Sequence, residues 1–128
     1  MQSRVGGPGG NEQGMKANDF VPPPAGEPVH PSALPKPAAL MGRLKEGEPS
    51  LRFREAAWAA ANTLLRIMQQ PSGNGQREMA KLLGYSASGV AKHMSRMQRL
   101  GLIVRVSYQR YGLTEKSWGY VMAARRMA

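Results

Sequence analysis

The stretch Gly75–Leu102, GQREMAKLLGYSASGVAKHMSRMQRLGL, contains two short amphipathic segments that are separated by Gly84. The apolar positions that recur at helical spacing are Met79, Leu82 and Leu83 in the first segment and Val90, Met94, Met97 and Leu100 in the second. A glycine supplies the positive φ that a tight turn between helices needs, and Ser86 can cap the second helix. Gly101 follows that helix in the usual left-handed position. The stretch therefore predicts a helix-turn-helix.

The outer face of the second helix is cationic. It carries Lys92, Arg96 and Arg99, and no acidic residue occurs between Ala80 and Thr114. A helix in the DNA major groove presents its N-terminal half to base edges, whereas residues farther along contact phosphates. The residues that we expect at base edges are Ser86, Ala87, Ser88, Gly89, Lys92 and His93. Those that we expect at phosphates are Gln76, Arg77, Arg96 and Arg99. The alternative is an ordinary solvated helix face.

A longer helix is predicted upstream, from about Leu51 to Gln70, with Ser50 as its cap and Pro71 just beyond its end. Its apolar stripe consists of Phe53, Ala57, Ala60, Leu64 and Met68. Another flank carries Leu51, Trp58 and Leu65. The helix is therefore apolar over more surface than one small core requires. We expect the excess to be covered either by a homodimer contact, made through the first and last helices, or by the closing helix of the same chain.

Downstream of the helix-turn-helix the pattern changes to strands. Leu102–Tyr108 is rich in β-branched residues, Gln109–Gly112 predicts a turn, and Leu113 can begin a short return strand. Thr114 can then cap a closing helix, Glu115 to about Arg126. Three helices, two strands and a last helix in this order predict a winged helix-turn-helix, which is a mainly α fold with a small β-hairpin.

Two arginines belong to the predicted hairpin, or wing. Arg105 lies in its first strand and Arg110 in its predicted turn. An arginine at a wing tip suits the narrow minor groove of DNA, where the potential is most negative. We therefore expect Arg110, and with it Arg105, to contact the minor groove.

The distribution of charge supports a polyanionic partner. Residues 1–50 contain five basic and five acidic side chains, so the net charge of +10 lies entirely on residues 51–128. The positive electrostatic field of residues 51–128 attracts nucleic acid or an anionic membrane surface. The simpler interpretation is that the charge only keeps the protein soluble. The longest uncharged apolar run, Ala56–Ala61, is far shorter than the ~20 residues that a membrane span needs. With no cysteine present, we expect a cytoplasmic, nucleoid-associated protein without a membrane partner.

The first 48 residues differ in composition from the rest. Nine of the ten prolines lie within the first 49 residues, together with several glycines. Such a segment buries too little apolar surface to offset its ordering entropy. We predict a disordered or extended tail at 1–48, acting as a spacer or as a docking strip for a protein partner, and a domain at 49–128. Leu40, Met41 and Leu44 could form one helical turn on contact with a partner.

The residue inventory argues against an enzyme. The two histidines are His30 and His93, the carboxylates of the basic half are scattered singly, and no metal-ligand spacing occurs. We therefore predict no catalytic site, metal or cofactor. RNA binding ranks lower than DNA binding because the aromatic residues are predicted in packing positions. The main alternative is an interaction module that docks on a replication or transcription protein through its tail and first helix.

Residues 75–106, GQREMAKLLGYSASGVAKHMSRMQRLGLIVRV, and residues 113–121, LTEKSWGYV, resemble winged-helix regulators of the multiple antibiotic resistance regulator (MarR) family. The resemblance implies a dimer that binds promoter DNA, and Ser86–Ser88 and Lys92 match its recognition-helix positions. Arg110 roughly matches its wing arginine. The wing is shorter here, and the long dimerising helices are missing, so the family's dimer interface and ligand pocket are not carried over. We predict a sequence-specific, double-stranded DNA-binding transcriptional regulator that acts as a repressor.

Overall fold

The computed structural model describes residues 22–23 and 26–126. Five α-helices and two strands follow one another: α1 (Pro37–Gly47), α2 (Arg54–Gln69), α3 (Gln76–Leu83), α4 (Ala87–Arg99), β1 (Ile103–Ser107), β2 (Arg110–Leu113) and α5 (Glu115–Arg125). Short 3₁₀ turns at Pro31–Ala33 and Pro49–Leu51 flank α1. This is the predicted winged helix-turn-helix, mainly helical with a two-stranded antiparallel hairpin, with one further helix in front. None of the helices in the described ranges is long and apolar enough to cross a bilayer.

The additional helix, α1, corrects the prediction of an extended tail. It packs against both α2 and α5, and its Leu40 and Leu44 are completely buried. Pro37 stands at the start of the helix, where its missing N–H costs nothing and its fixed φ favours helix formation. The tail prediction was therefore wrong for residues 31–48. Residues 22–23 and 26–30 form no helix or strand, although Val29 is buried and donates its N–H to the Met68 carbonyl. The rest of the predicted tail, residues 1–21, 24 and 25, lies outside the described residues.

Polar contacts join α1 to α5 around Glu48. This buried carboxylate accepts a hydrogen bond from the Tyr120 hydroxyl at 2.6 Å and pairs with the Lys116 ammonium at 3.0 Å. Gly47 permits the approach, because a Cβ atom there would overlap the Tyr120 hydroxyl. Burial, together with the hydrogen bond and charge of Glu48, raises the pKa of Tyr120 to about 12. Tyr120 therefore remains a neutral donor at physiological pH.

The helix α2 begins later than predicted. Ser50 lies in the 3₁₀ turn and caps nothing, and Phe53 precedes the first helical residue with 64% of its surface exposed. The prediction that Ser50 caps a helix from Leu51, with Phe53 in the buried stripe, was wrong because Pro49 starts a separate turn. The rest of that stripe is buried as predicted. Leu51 and Leu65 of the surplus flank are buried in the same core as Leu40 and Leu44 of α1, a helix that neither expectation included, and Trp58 remains 41% exposed.

The helix-turn-helix has the predicted form. Gly84 ends α3 at φ +70°, Ser86 caps α4 by accepting the Gly89 N–H at 3.1 Å, and Gly101 follows α4 at φ +72°. The side chains of Val90, Met94 and Met97 are buried beneath α4 and join the core formed with α2. Thr114 caps α5 through a reciprocal capping box with Ser117, which confirms the predicted start of the closing helix.

The hairpin turns earlier than predicted. β1 and β2 are joined by Tyr108 and Gln109 alone, with Gln109 at φ +56°, so the return strand begins at Arg110 rather than Leu113. The turn is held to the loop before α3, since the Asn74 N–H donates to the Gln109 carbonyl at 3.1 Å and Ser72 forms a bridge with Arg110. The wing is therefore short, and its turn and the first residue of β2 are held to the loop before α3.

Replacing Leu44 by alanine tests whether α1 belongs to the folded domain. Because the side chain is completely buried, we expect the free energy of unfolding to fall by about 2–5 kcal/mol. Urea unfolding followed by circular dichroism measures this change. Glu46→Ala, at an exposed position of the same helix, is the control and should change stability by no more than about 0.5 kcal/mol. Unfolding of Leu44→Ala at the wild-type urea concentration would contradict the assignment of α1 to the core.

Candidate nucleic-acid interface

Apart from the buried His93, the predicted contact residues of α3 and α4 are accessible to solvent, and we call this set of residues the α4 surface. Its exposed members are Gln76 and Arg77 at the start of α3, and Ser86, Ala87, Ser88, Lys92 and Arg99 on α4, with Arg96 half-buried. Within the described residues, no carboxylate forms an ion pair with Lys92, Arg96 or Arg99. The helix thus presents unneutralised positive charge to solvent.

Small side chains surround the N-terminus of α4. Ser86 and Ser88 have hydroxyl oxygens 3.4 Å apart, and Ala87 lies exposed between them. Gly89 is half-buried, and a Cβ atom there would lie 3.2 Å from the Ser86 hydroxyl oxygen. Its lack of a side chain therefore protects the helix cap, which is a structural reason for glycine beside the predicted close approach of DNA. The first turn remains accessible to a bulky ligand.

His93 does not lie on the α4 surface, and its prediction as a DNA contact was wrong. The residue is buried, with its Nε2 atom 2.8 Å from the Thr63 hydroxyl oxygen. Thr63 donates its own proton to the Ala59 carbonyl, so His93 Nε2–H must be the donor in the pair. The edge of the imidazole also meets the Tyr85 ring at a centroid distance of 5.8 Å. The spacing of position 93 relative to Val90 and Met97 is that of the buried stripe, and could have revealed this.

The environment keeps His93 neutral. Burial, with a smaller contribution from the positive charge of Arg96, lowers its pKa from 6.5 to about 4. A neutral imidazole can donate to Thr63 without bringing a charge into the core. The histidine thus fixes the inner side of α4 to α2 while Lys92, the preceding residue, faces solvent.

The two wing arginines differ in their surroundings. Arg105 is exposed on β1. Arg110 is also exposed, but it opens β2 instead of occupying the tip, and its guanidinium donates to the Gly26 carbonyl at 3.1 Å. The tip itself consists of Tyr108 and Gln109, which the sequence analysis did not include among the contact residues. The predicted turn had four residues, Gln109–Gly112, whereas the observed turn has two, Tyr108 and Gln109.

Two further residues border the α4 surface and are not among the residues predicted to contact DNA. Lys81 and Tyr85 line a groove between α3 and the first turn of α4, together with Arg77 and Val90. The groove opens next to the small residues of the α4 N-terminus. In the ranges that the structure describes, no group of three or more His, Asp or Glu side chains is placed to hold a metal ion.

The lowered pKa of His93 predicts a pH dependence of stability. The unfolded chain binds more protons than the folded one between pH 6.5 and about 4, so the stabilisation is complete above this window and is lost as the pH falls through it. From about pH 7 to about pH 5 we expect a loss of about 2 kcal/mol from this residue. Urea unfolding of the wild type and of His93→Gln, whose amide can still donate to Thr63, measures it. Equal pH dependence in both proteins would contradict the assignment.

Comparison with known proteins agrees with this geometry. Residues 63–104, from the second half of α2 to the start of β1, match the family described as winged helix-turn-helix DNA-binding. Comparisons with curated proteins and with solved structures gave no match. The resemblance to MarR regulators in particular stays a prediction. The matched range contains all residues of the α4 surface, and the match supports DNA binding by a winged helix-turn-helix domain.

Proposed function

We propose that the protein is a sequence-specific regulator of transcription that binds double-stranded DNA with α4 in the major groove and the hairpin near the minor groove. The main observation behind this proposal is that α4 has a buried inner side and a cationic outer side. Its inner side is fixed by Val90, His93 and Met94, and its outer side carries Lys92, Arg96 and Arg99 without carboxylate partners among the described residues. A surface of this kind is complementary to a polyanion.

The dimensions of α4 suit the major groove. That groove is about 12 Å wide, and a helix with its side chains is about 10–12 Å across. Because the first turn carries only the small side chains of Ser86, Ala87 and Ser88, the helix end can approach the base edges closely. Ser88 and Lys92 then offer hydrogen-bond donors to bases, while Arg96 and Arg99 reach phosphates.

Gln76 and Arg77 extend the contact to a neighbouring part of the backbone. They stand in the first turn of α3, where backbone N–H groups and the positive end of the helix dipole also favour phosphate.

A protein bound across a promoter in this way blocks access by polymerase, so we propose repression as the outcome. Such a regulator would act in the cytoplasm at the nucleoid. A homodimer would read two half-sites, and an inverted repeat selected from a random duplex pool would reveal it.

A second candidate function is supported by one observation on α2. Phe53 and Trp58 are exposed there, and a groove beside Trp58 is lined by Leu83 and Tyr85. Such a surface is typical of a contact with another protein. If the domain served chiefly as a docking module for a transcription or replication protein, this part of α2 would matter and the charges of α4 would not.

Charge reversal separates the two candidates. We expect Lys92→Glu with Arg96→Glu to abolish binding to the duplex that the wild-type chain enriches from a random pool, because two phosphate or base contacts become repulsive. Gel-shift titration measures binding, and the circular dichroism spectrum should be unchanged. The matched control, Lys36→Glu with Lys45→Glu, makes the same change in net charge at exposed positions around α1 and should retain binding. Retained binding by the α4 variant would refute the proposed function.

Salt dependence provides a second test. If about four to six cations per protomer neutralise phosphates, the logarithm of the affinity should fall with the logarithm of salt concentration with a slope of about −4 to −5. Fluorescence anisotropy of a labelled duplex at several salt concentrations measures the slope. A slope near zero would be inconsistent with contacts from the α4 surface.

A further inference from the structure

The hairpin presents an apolar strip to solvent. We define the wing strip as Val104, Val106 and Tyr108, whose surfaces are 48%, 45% and 76% exposed. Val104 pairs with Gly112, which has no side chain to cover it. Among the described residues the other large exposed apolar side chains are Phe53 and Trp58, on a different part of the molecule. Val104 and Val106 lie on β1, whose pairing with β2 is irregular between Arg105 and Ser107, and Tyr108 lies in the turn that follows. Three exposed apolar side chains this close together in the chain indicate a contact surface.

The position of Tyr108 relates the wing strip to the α4 surface. The Gln109 carbonyl accepts the Asn74 N–H at 3.1 Å, and a Cβ atom on Gly75 would lie 3.0 Å from the Gln109 side chain. The turn is therefore fixed beside the start of α3, where Gln76 and Arg77 stand. A duplex lying across the first turns of α3 and α4 has the Tyr108 ring next to it.

The partner that suits the strip follows from charge. Residues 81–113 contain no acidic side chain, and Arg105 is exposed on the same strand as Val104 and Val106. A second copy of this chain would bring these cations together, which costs electrostatic energy. A DNA minor groove attracts these cations instead, because negatively charged phosphates border it. Apolar side chains are also common contacts in that groove.

We propose that the wing strip is the hairpin's contact with duplex DNA, and that Tyr108 packs against the minor groove in the place that sequence reasoning gave to Arg110. This inference rests on the proposed function. Arg110 instead ties the segment before α1 to β2, through its hydrogen bond to the Gly26 carbonyl. The Tyr108 hydroxyl oxygen accepts a hydrogen bond from Gln109 Nε2 at 3.4 Å, and most of the ring is exposed to solvent.

Affinity for the duplex enriched by the wild-type chain tests the proposal. Tyr108→Ala is expected to weaken binding about fivefold to tenfold, and Tyr108→Phe, which keeps the ring, by about twofold at most. Phe53→Ala removes an equally exposed aromatic side chain away from the hairpin and should bind as the wild type does. Arg110→Ala should weaken binding less than Tyr108→Ala. The reverse order of these two variants, or an equal loss in Phe53→Ala, would overturn the proposal.

Dimethyl sulfate footprinting gives a readout that a folding defect would not mimic. The reagent methylates guanine N7 in the major groove and adenine N3 in the minor groove, so it reports on both contacts separately. At saturating protein, Tyr108→Ala should lose protection of adenine N3 and keep protection of guanine N7. If Tyr108→Ala retains both protections and full affinity while Lys92→Glu with Arg96→Glu abolishes binding, the wing proposal fails and the proposed function stands. If no duplex binds to the wild-type chain, both fail.

Discussion

The packing of α4 against α2 determines which side of α4 faces solvent, and everything proposed for this protein depends on it. Val90, Met94 and Met97 supply the apolar part of that contact. The hydrogen bond from His93 to Thr63 adds a polar contact with strict geometry, since the Thr63 hydroxyl has its own proton engaged with a backbone carbonyl. A rotation of α4 by one position would leave these groups unsatisfied in the core. The cationic side is therefore held outward.

The elements around this contact stabilise it from two directions. On one side α1 fills the space between α2 and α5, with Glu48 joining Tyr120 and Lys116 at the junction. On the other side the loop before α3 holds the turn of the hairpin through Asn74. The wing turn therefore lies beside the start of α3, and the first turn of α3 borders a groove that Ala87 of α4 also lines.

The sequence predicted what depends on local chemistry. Helical spacing and the glycine at position 84 located α3 and α4, and Ser86 predicted the N-terminal cap of α4. It did not predict what depends on tertiary packing: the proline-rich composition before α1 concealed a helix that only the core stabilises. His93 was wrongly predicted to contact DNA because histidine is a polar residue and the helix is cationic. Its position in α4 nevertheless places it among the buried residues. The role of Arg110 could not be predicted, since its partner lies 84 residues away in the chain.

Amide shifts measured by NMR during titration with the enriched duplex test the central claim most directly. We expect the largest shifts in the first turn of α3, in the N-terminal half of α4 and at the hairpin turn, while amides of α1 and α5 change little. Shifts confined to α1, α5 or the surroundings of Trp58, with α4 unchanged, would contradict the claim that the outer side of α4 is what meets DNA.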